Sequence, residues 1–281
     1  MRCVLVVIGL TLTVGIQAFW GTRARAQEAR EAEQAASISE QLEASRTWPQ
    51  FRQVDEPSRQ LEVATILKYT NVTRVLNPEE VVTSLVLLCV DEGRPVAAIQ
   101  VFAWDGNVCH ELDYLARQPG YVAAYEGPLQ WRPISSGIKF QALPAATAPA
   151  AEASRRMLQM KGFARRFRCT LTGWNADNSD RQTLRLMPRA LYRYRIDTAP
   201  QRGSFDGAVF AFAQGTDPEA LLLIEAVRDS QGEHWEYAFC RATSGGLQAT
   251  LGDAVVWRAE KDPASHPQLP HFTYRRRLEV D

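Results

Sequence analysis

Residues 207–226, GAVFAFAQGTDPEALLLIEA, run apolar, then turn, then apolar again, and residues 84–103, SLVLLCVDEGRPVAAIQVFA, have the same shape. Each reads as two strands joined by a tight turn, because runs of strand length rich in Val, Leu, Ile and Phe are bounded by Gly, Asp and Pro. Working outward in the second half, TLRLMPRALYRYRI (183–196) supplies one or two strands before this hairpin and HWEYAFCR (234–241) one after it. In the first half, VCHELDYLA (108–116) follows the hairpin across Asp105-Gly106, a dipeptide whose residues both tolerate positive φ and so favour a two-residue loop. Counting back from that loop sets Ile99 opposite Leu112 and Val101 opposite His110. Taking Ser230-Gln231 as the loop in the second half sets Leu222 opposite Phe239, Ile224 opposite Tyr237 and Ala226 opposite Trp235. Both hairpins thereby acquire a largely apolar face, with His110 as the exception.

A constant, gap-free offset pairs Leu61 with Leu184, Tyr69 with Tyr192, Ile99 with Leu222 and Tyr114 with Tyr237. The expectation is an α+β protein of two similar modules arising by internal duplication, each a mainly antiparallel sheet with a preceding helix. The same offset sets Leu222 against Trp235, in conflict with the hairpin register. Residues 27–46 are rich in Ala, Glu, Gln and Arg without Pro or Gly, and predict an exposed helix or stalk. A second helix is expected over 151–167, with Met157, Met160, Phe163, Ala164 and Phe167 on a core stripe and Arg155, Arg156, Lys161, Arg165 and Arg166 on a solvated face. The Ala/Pro-rich residues 140–154 read as a linker, dividing the chain into 27–139 and 155–281.

The first residues place Arg2 before an apolar stretch from Cys3 to about Ile16, and Ala24-Arg25-Ala26 supplies a cleavage pattern ahead of Gln27. Export is expected, with residues 1–26 a cleaved signal or an uncleaved anchor; the anchor is the one route to a membrane. The 281-residue chain balances 32 basic against 32 acidic residues, so nothing steers nucleic acid. Cys89, Cys109, Cys169 and Cys240 are open to two readings, paired in an oxidising compartment or buried as free thiols. The stretches LMPRALYRY (186–194) and DGAVFAFAQGTDPEALLLIEA (206–226) resemble uncharacterised secreted proteins of planctomycete-type bacteria. That resemblance implies export and a recurring fold and supplies no mechanism.

The sharpest polar constellation is Glu225 opposite Glu236, with His234 two residues along the same strand. Close carboxylates shift one another's pKa and can divide acid and base roles, so these three are the candidates for a hydrolase. Trp174 is the candidate ligand-stacking residue, in a turn where Asn175, Asp177 and Ser179 alternate without the Gly and Glu of a calcium loop. His266 and His271 lie in a Pro-rich tail and read as surface loop residues. Neither zinc spacings nor a phosphate loop occurs, TSGG (243–246) being too short, so no metal or cofactor is expected. The chain is expected to act without chemistry, as an envelope binding or interaction protein, with a protein or small ligand at the groove between the modules.

Overall fold

The computed structural model describes residues 11–73, 80–172, 181–196, 203–230, 232–261 and 263–279. Among the described residues strands take 52% and helices only 14%, which corrects the expected α+β class to a β-rich fold of large curled antiparallel sheets. In chain order the elements begin with α1 (Thr11–Ser45), β1 (Gln50–Gln53), β2 (Glu62–Thr73), β3 (Glu80–Asp91), β4 (Arg94–Trp104) and β5 (Asn107–Tyr114). Short strands β6 (Tyr121–Ala124), β7 (Gln130–Trp131) and β8 (Gln141–Ala142) lead to α2 (Ala153–Ala164). There follow β9 (Phe167–Leu171), β10 (Gln182–Leu186), β11 (Tyr192–Arg195), β12 (Gly203–Gln214), β13 (Asp217–Asp229) and β14 (Gly232–Arg241). The chain closes with β15 (Leu247–Leu251), β16 (Ala254–Ala259) and β17 (His271–Arg277).

One sheet has five strands in the order β17-β5-β4-β3-β2; a second has nine, in the order β16-β15-β9-β10-β12-β13-β14-β8 with β11 also paired to β12. A third, small sheet is β1-β6-β7. Only two helices occur among the described residues, one against each large sheet, too little helix for the expected α+β modules. The strand pairing also crosses the Ala/Pro-rich segment: β8, from within it, joins β14, and β17, from the far end of the chain, joins β5.

The turns form as their residues dictate. Asp105 and Gly106 have φ of 48° and 69°, and Glu92 and Gly93 have φ of 48° and 82°, the left-handed pair that matches the twist of a two-residue hairpin. Ile99 faces Leu112 and Val101 faces His110, while Leu222, Ile224 and Ala226 face Phe239, Tyr237 and Trp235. The second hairpin is the longer one, so the constant offset does not survive its turn.

Three apolar clusters fill the layers. One lies between the five-stranded sheet, the small sheet and α1, and includes Leu85, Leu87, Ile99, Val101 and Leu112, capped by Ile38 and Leu42. α1 is thus a docked helix over its last turns rather than an exposed stalk. A second cluster lies under α2, where Met160 and Ala164 are buried against Phe210, Leu222 and Ile224. The third joins the two large sheets face to face through Leu88, Val90 and Ala98 on one side and Val209, Leu221 and Leu223 on the other. β13 therefore uses both faces, even-numbered residues toward α2 and odd-numbered ones toward the five-stranded sheet. Strands buried on both sides read as continuous apolar runs, which is why LLLI shows no alternation.

Among the described residues no helix is long and apolar enough to cross a membrane, and the start of the apolar stretch, residues 1–10, lies outside them. Cys89, Cys109, Cys169 and Cys240 are all buried free thiols.

Candidate functional site

The odd face of β13 carries Asp217, Glu219, Leu221, Leu223 and Glu225 in succession, so its two ends present acids to the five-stranded sheet while its middle seals the interface. The Glu225 end is closed by a clasp. Glu225 Oε1 accepts from Arg94 Nε and Nη2 at 3.1 and 2.9 Å and from the Tyr194 hydroxyl at 2.6 Å, and Oε2 accepts from Arg117 Nη2 at 2.7 Å. Glu236 does stand opposite Glu225, and the same Arg117 Nη2 reaches its Oε2 at 2.5 Å, which is how two facing carboxylates coexist. The Arg117 guanidinium also lies 3.7 Å above the centre of the Phe140 ring. Burial alone would raise the Glu225 carboxyl, but Arg94, Arg117 and the Tyr194 hydroxyl outweigh it and hold its pKa below the ordinary value.

Glu225 has no exposed surface. His234 Nε2 lies 3.6 Å from Glu236 Oε1, at the rim. The three candidate residues are therefore neighbours, but the carboxylate at their centre is spent on two guanidiniums, Arg94 from the five-stranded sheet and Arg117 from the loop after β5, and has no face to offer a substrate. Trp174, with Asn175, Asp177 and Ser179, lies outside the described residues.

The other histidines and arginines divide in a way composition does not reveal. His110, the polar exception on the hairpin face, is fully buried, with its ring nitrogens 2.9 Å from Ser45 Oγ and 3.1 Å from the Tyr125 hydroxyl and its ring stacked on Trp48. Burial pushes its pKa down to about 3, so it is neutral. His271 is buried rather than a surface loop residue: it opens β17 and lies 3.1 Å from Asp113 Oδ1. His266 is exposed, as expected. Arg156, expected on a solvated helix face, instead donates from Nε to the fully buried Asp206 at 2.7 Å, beside Arg193.

The opposite end of the same β13 face opens into a cleft of about 290 Å³ between the sheets. Its floor comes from cross-strand rows of the five-stranded sheet, Gln100 beside Glu111 and Phe102 beside Cys109 beside Arg275, with Tyr69 from β2. Its roof is Gln214 and Asp217, which flank the Gly215-Thr216 turn, then Glu219 and the Thr243-Ser244 segment after β14. The turn is pinned to the first sheet. The Thr216 hydroxyl donates to the Thr70 carbonyl at 2.9 Å, and Gln100 Nε2 donates to Asp217 Oδ1 at 3.1 Å and to the Pro218 carbonyl at 2.8 Å. Trp104, 53% exposed, stands at the mouth.

Three carboxyls meet there, each displaced upward by burial. Glu219 is pushed up to about 8, with Asp217 and Glu111 adding repulsion and the Thr243 hydroxyl opposing. Glu111 is pushed up to about 7, moderated by His271, Arg241 and Arg275. Asp217 is pushed up to about 6, moderated by Tyr69 and Gln100. Among the described residues no group of three or more His, Cys, Asp or Glu is disposed to hold a metal ion, this trio included. Titratable groups displaced in this manner inside a cleft mark a functional site more often than groups on an open face.

Sequence reasoning missed this cluster because it is assembled across the two sheets, from β5 and the start of β13, and the burial that displaces its acids comes from the facing sheet. The signal that was present is the placing of Asp217 and Glu219 two residues apart, on one strand face, at the end of an otherwise apolar run. Comparison with known proteins finds no family model, no curated protein and no solved structure that matches this chain.

Proposed function

We propose that this protein is an exported binding protein of the cell envelope, acting without chemistry of its own, that takes a small polar ligand in the cleft between its two large sheets. The observation that carries the reading is the pairing of buried, mutually repelling carboxyls with an open mouth, at the far end of a face whose other acid is fully neutralised. A protein that needed only a stable interface would have matched Asp217 and Glu219 as it matches Glu225. The volume sits at the small end of ligand pockets, which hold about 300–1,000 Å³. Export rests on the charged residue, apolar stretch and small-residue motif at the start of the chain.

A hydrolase built on Glu225, Glu236 and His234 has no support in this geometry, because its central carboxylate is sealed. The test is a panel of small polar compounds of each charge, among them glucose, succinate and 1,4-diaminobutane, read by ligand-observed NMR against the protein and its Trp104→Ala variant. Binding that weakens in the variant is expected. A panel in which nothing binds, or in which binding is indifferent to Trp104, overturns the cleft reading. Intact mass after expression in a secreting host checks export: a chain starting at Gln27 or an intact chain in the envelope is expected, and an intact chain in the cytoplasm refutes it.

A further inference from the structure

Every other buried acid with an assigned partner meets a cation. Glu225 has Arg94 and Arg117, Asp206 has Arg156 and Arg193, and Asp113 has His271. Asp217 and Glu219 break this pattern: among the described residues no ion pair reaches either, and what surrounds them is Tyr69, Gln100, Thr243 and one another. One cation, Arg275, lines the cleft, and it stands on the side of Glu111 beside Cys109 rather than by Asp217 and Glu219. Arg275 is exposed on β17, and the buried Arg241 on β14, with one nitrogen on the Glu260 carbonyl, acts on Glu111. His271 and Asp113 face Glu111 as a pair of their own.

A second observation comes from the opposite wall of the cleft. The Tyr69 hydroxyl lines this cleft, its residue is only 5% exposed, and it makes no hydrogen bond. Its polar neighbour is Asp217, which it faces at long hydrogen-bonding range, and no contact of ordinary hydrogen-bond geometry satisfies it. A buried hydroxyl without a well-formed partner loses its hydration uncompensated, and an arriving ligand group recovers that loss. Its free lone pairs accept from an N–H. At the mouth, Phe102 and the exposed Trp104 offer aromatic surface to a carbon skeleton and to a positive charge passing over it.

We infer that the cleft is a receptor for a small primary amine, whose ammonium group sits between Asp217, Glu219 and the Tyr69 hydroxyl while its carbon chain lies against Trp104 and Phe102. This rests on the binding reading above and specifies its ligand. No bond between heavy atoms is made or broken; the cation stabilises ionised carboxyls, so their O–H bonds break and the protons pass to the buffer, chiefly from Glu219 and then from Glu111. Binding therefore releases protons and strengthens as pH rises toward the range in which Glu219 ionises unaided, about 8.

The experiment is calorimetric titration of the full chain with 1,4-diaminobutane at about pH 6 and about pH 8, in two buffers of different ionisation enthalpy, with 1,4-butanediol as the uncharged match. Expected are saturable binding of the diamine, net proton release, affinity about tenfold or more higher at the upper pH, and no binding of the diol. Glu219→Gln, which mimics the protonated acid and leaves the fold in place, and Tyr69→Phe are each expected to weaken the diamine, by about tenfold and a few-fold respectively. Circular dichroism and melting confirm that both variants are folded. Equal binding of diol and diamine, or undiminished binding to Glu219→Gln, overturns the inference. If the diamine fails while glucose or succinate still binds in a Trp104-dependent manner, the amine assignment alone is refuted; if no compound binds, the cleft reading falls with it.

Discussion

Glu225→Gln is expected to destabilise the protein far more than its conservative chemistry suggests. The substitution keeps the volume but removes the charge that two guanidiniums share, and the new amide turns its N–H₂ toward Arg117, donor against donor. Removing one partner of a buried ion pair costs about 3–5 kcal/mol, because the remaining charge stays in the interior without compensation. Here the Arg94 side chain is 17% exposed and the Arg117 side chain 37% exposed. Arg117 recovers some hydration, so the lower end applies, about 3 kcal/mol. For a chain of this size that lowers the melting temperature by about 6–12 °C. Equilibrium urea unfolding gives the free energy directly, and Glu236→Gln is the control. Glu236 shares only Arg117 and is partly exposed, so its loss costs about 1 kcal/mol or less. The pH dependence supplies a second reading. The folded carboxyl of Glu225 lies below its ordinary value, so its contribution is complete above about pH 4.5 and is lost as pH falls through the folded value. The gap between wild type and variant should be constant near neutrality and narrow in acid. A variant within about 0.5 kcal/mol of wild type at neutral pH, or a loss no greater than that of Glu236→Gln, refutes the clasp.

Four further outcomes follow from the same geometry. The folded carboxyl of Glu219 is raised, so the ligand-free protein should lose stability between about pH 4.5 and 8, and Glu219→Gln should flatten that slope in melting curves. A Cβ at Gly207 would come within 2.4–2.6 Å of the Tyr194 ring, so Gly207→Ala should cost about 1–3 kcal/mol and displace the hydroxyl that holds Glu225, visible as loss of additivity with Tyr194→Phe in urea unfolding. His110, neutral with its pKa pushed down to about 3, should show no imidazole titration by NMR near pH 6.5, and stability should fall as pH drops from there toward 3. The thiols of Cys89, Cys109, Cys169 and Cys240 should resist alkylation until denaturant is added, with no mass change on reduction of the unlabelled chain.

The sequence by itself determined the local features. Asp105-Gly106 set the hairpin loop because both residues accept positive φ, and alternation counted from that loop placed Ile99 against Leu112. The same counting put Leu222 against Phe239 and brought Glu225 face to face with Glu236. The Met157–Phe163 stripe located α2 and its buried side, since a 3.6-residue period is a short-range property. Tertiary structure alone decided what those features are for. Hydrophobic periodicity does not say how many strands join a sheet, so the nine-stranded order, and with it the β-rich class, lay beyond reach. Nor does it say which two faces meet: Arg94 and Arg117 come to Glu225 from far along the chain, and Glu111 comes to Glu219 in the same way. Whether a buried acid is neutralised or left waiting depends on charges brought across the interface between the sheets, and their Coulombic reach is set by distance in space, not by spacing in the chain.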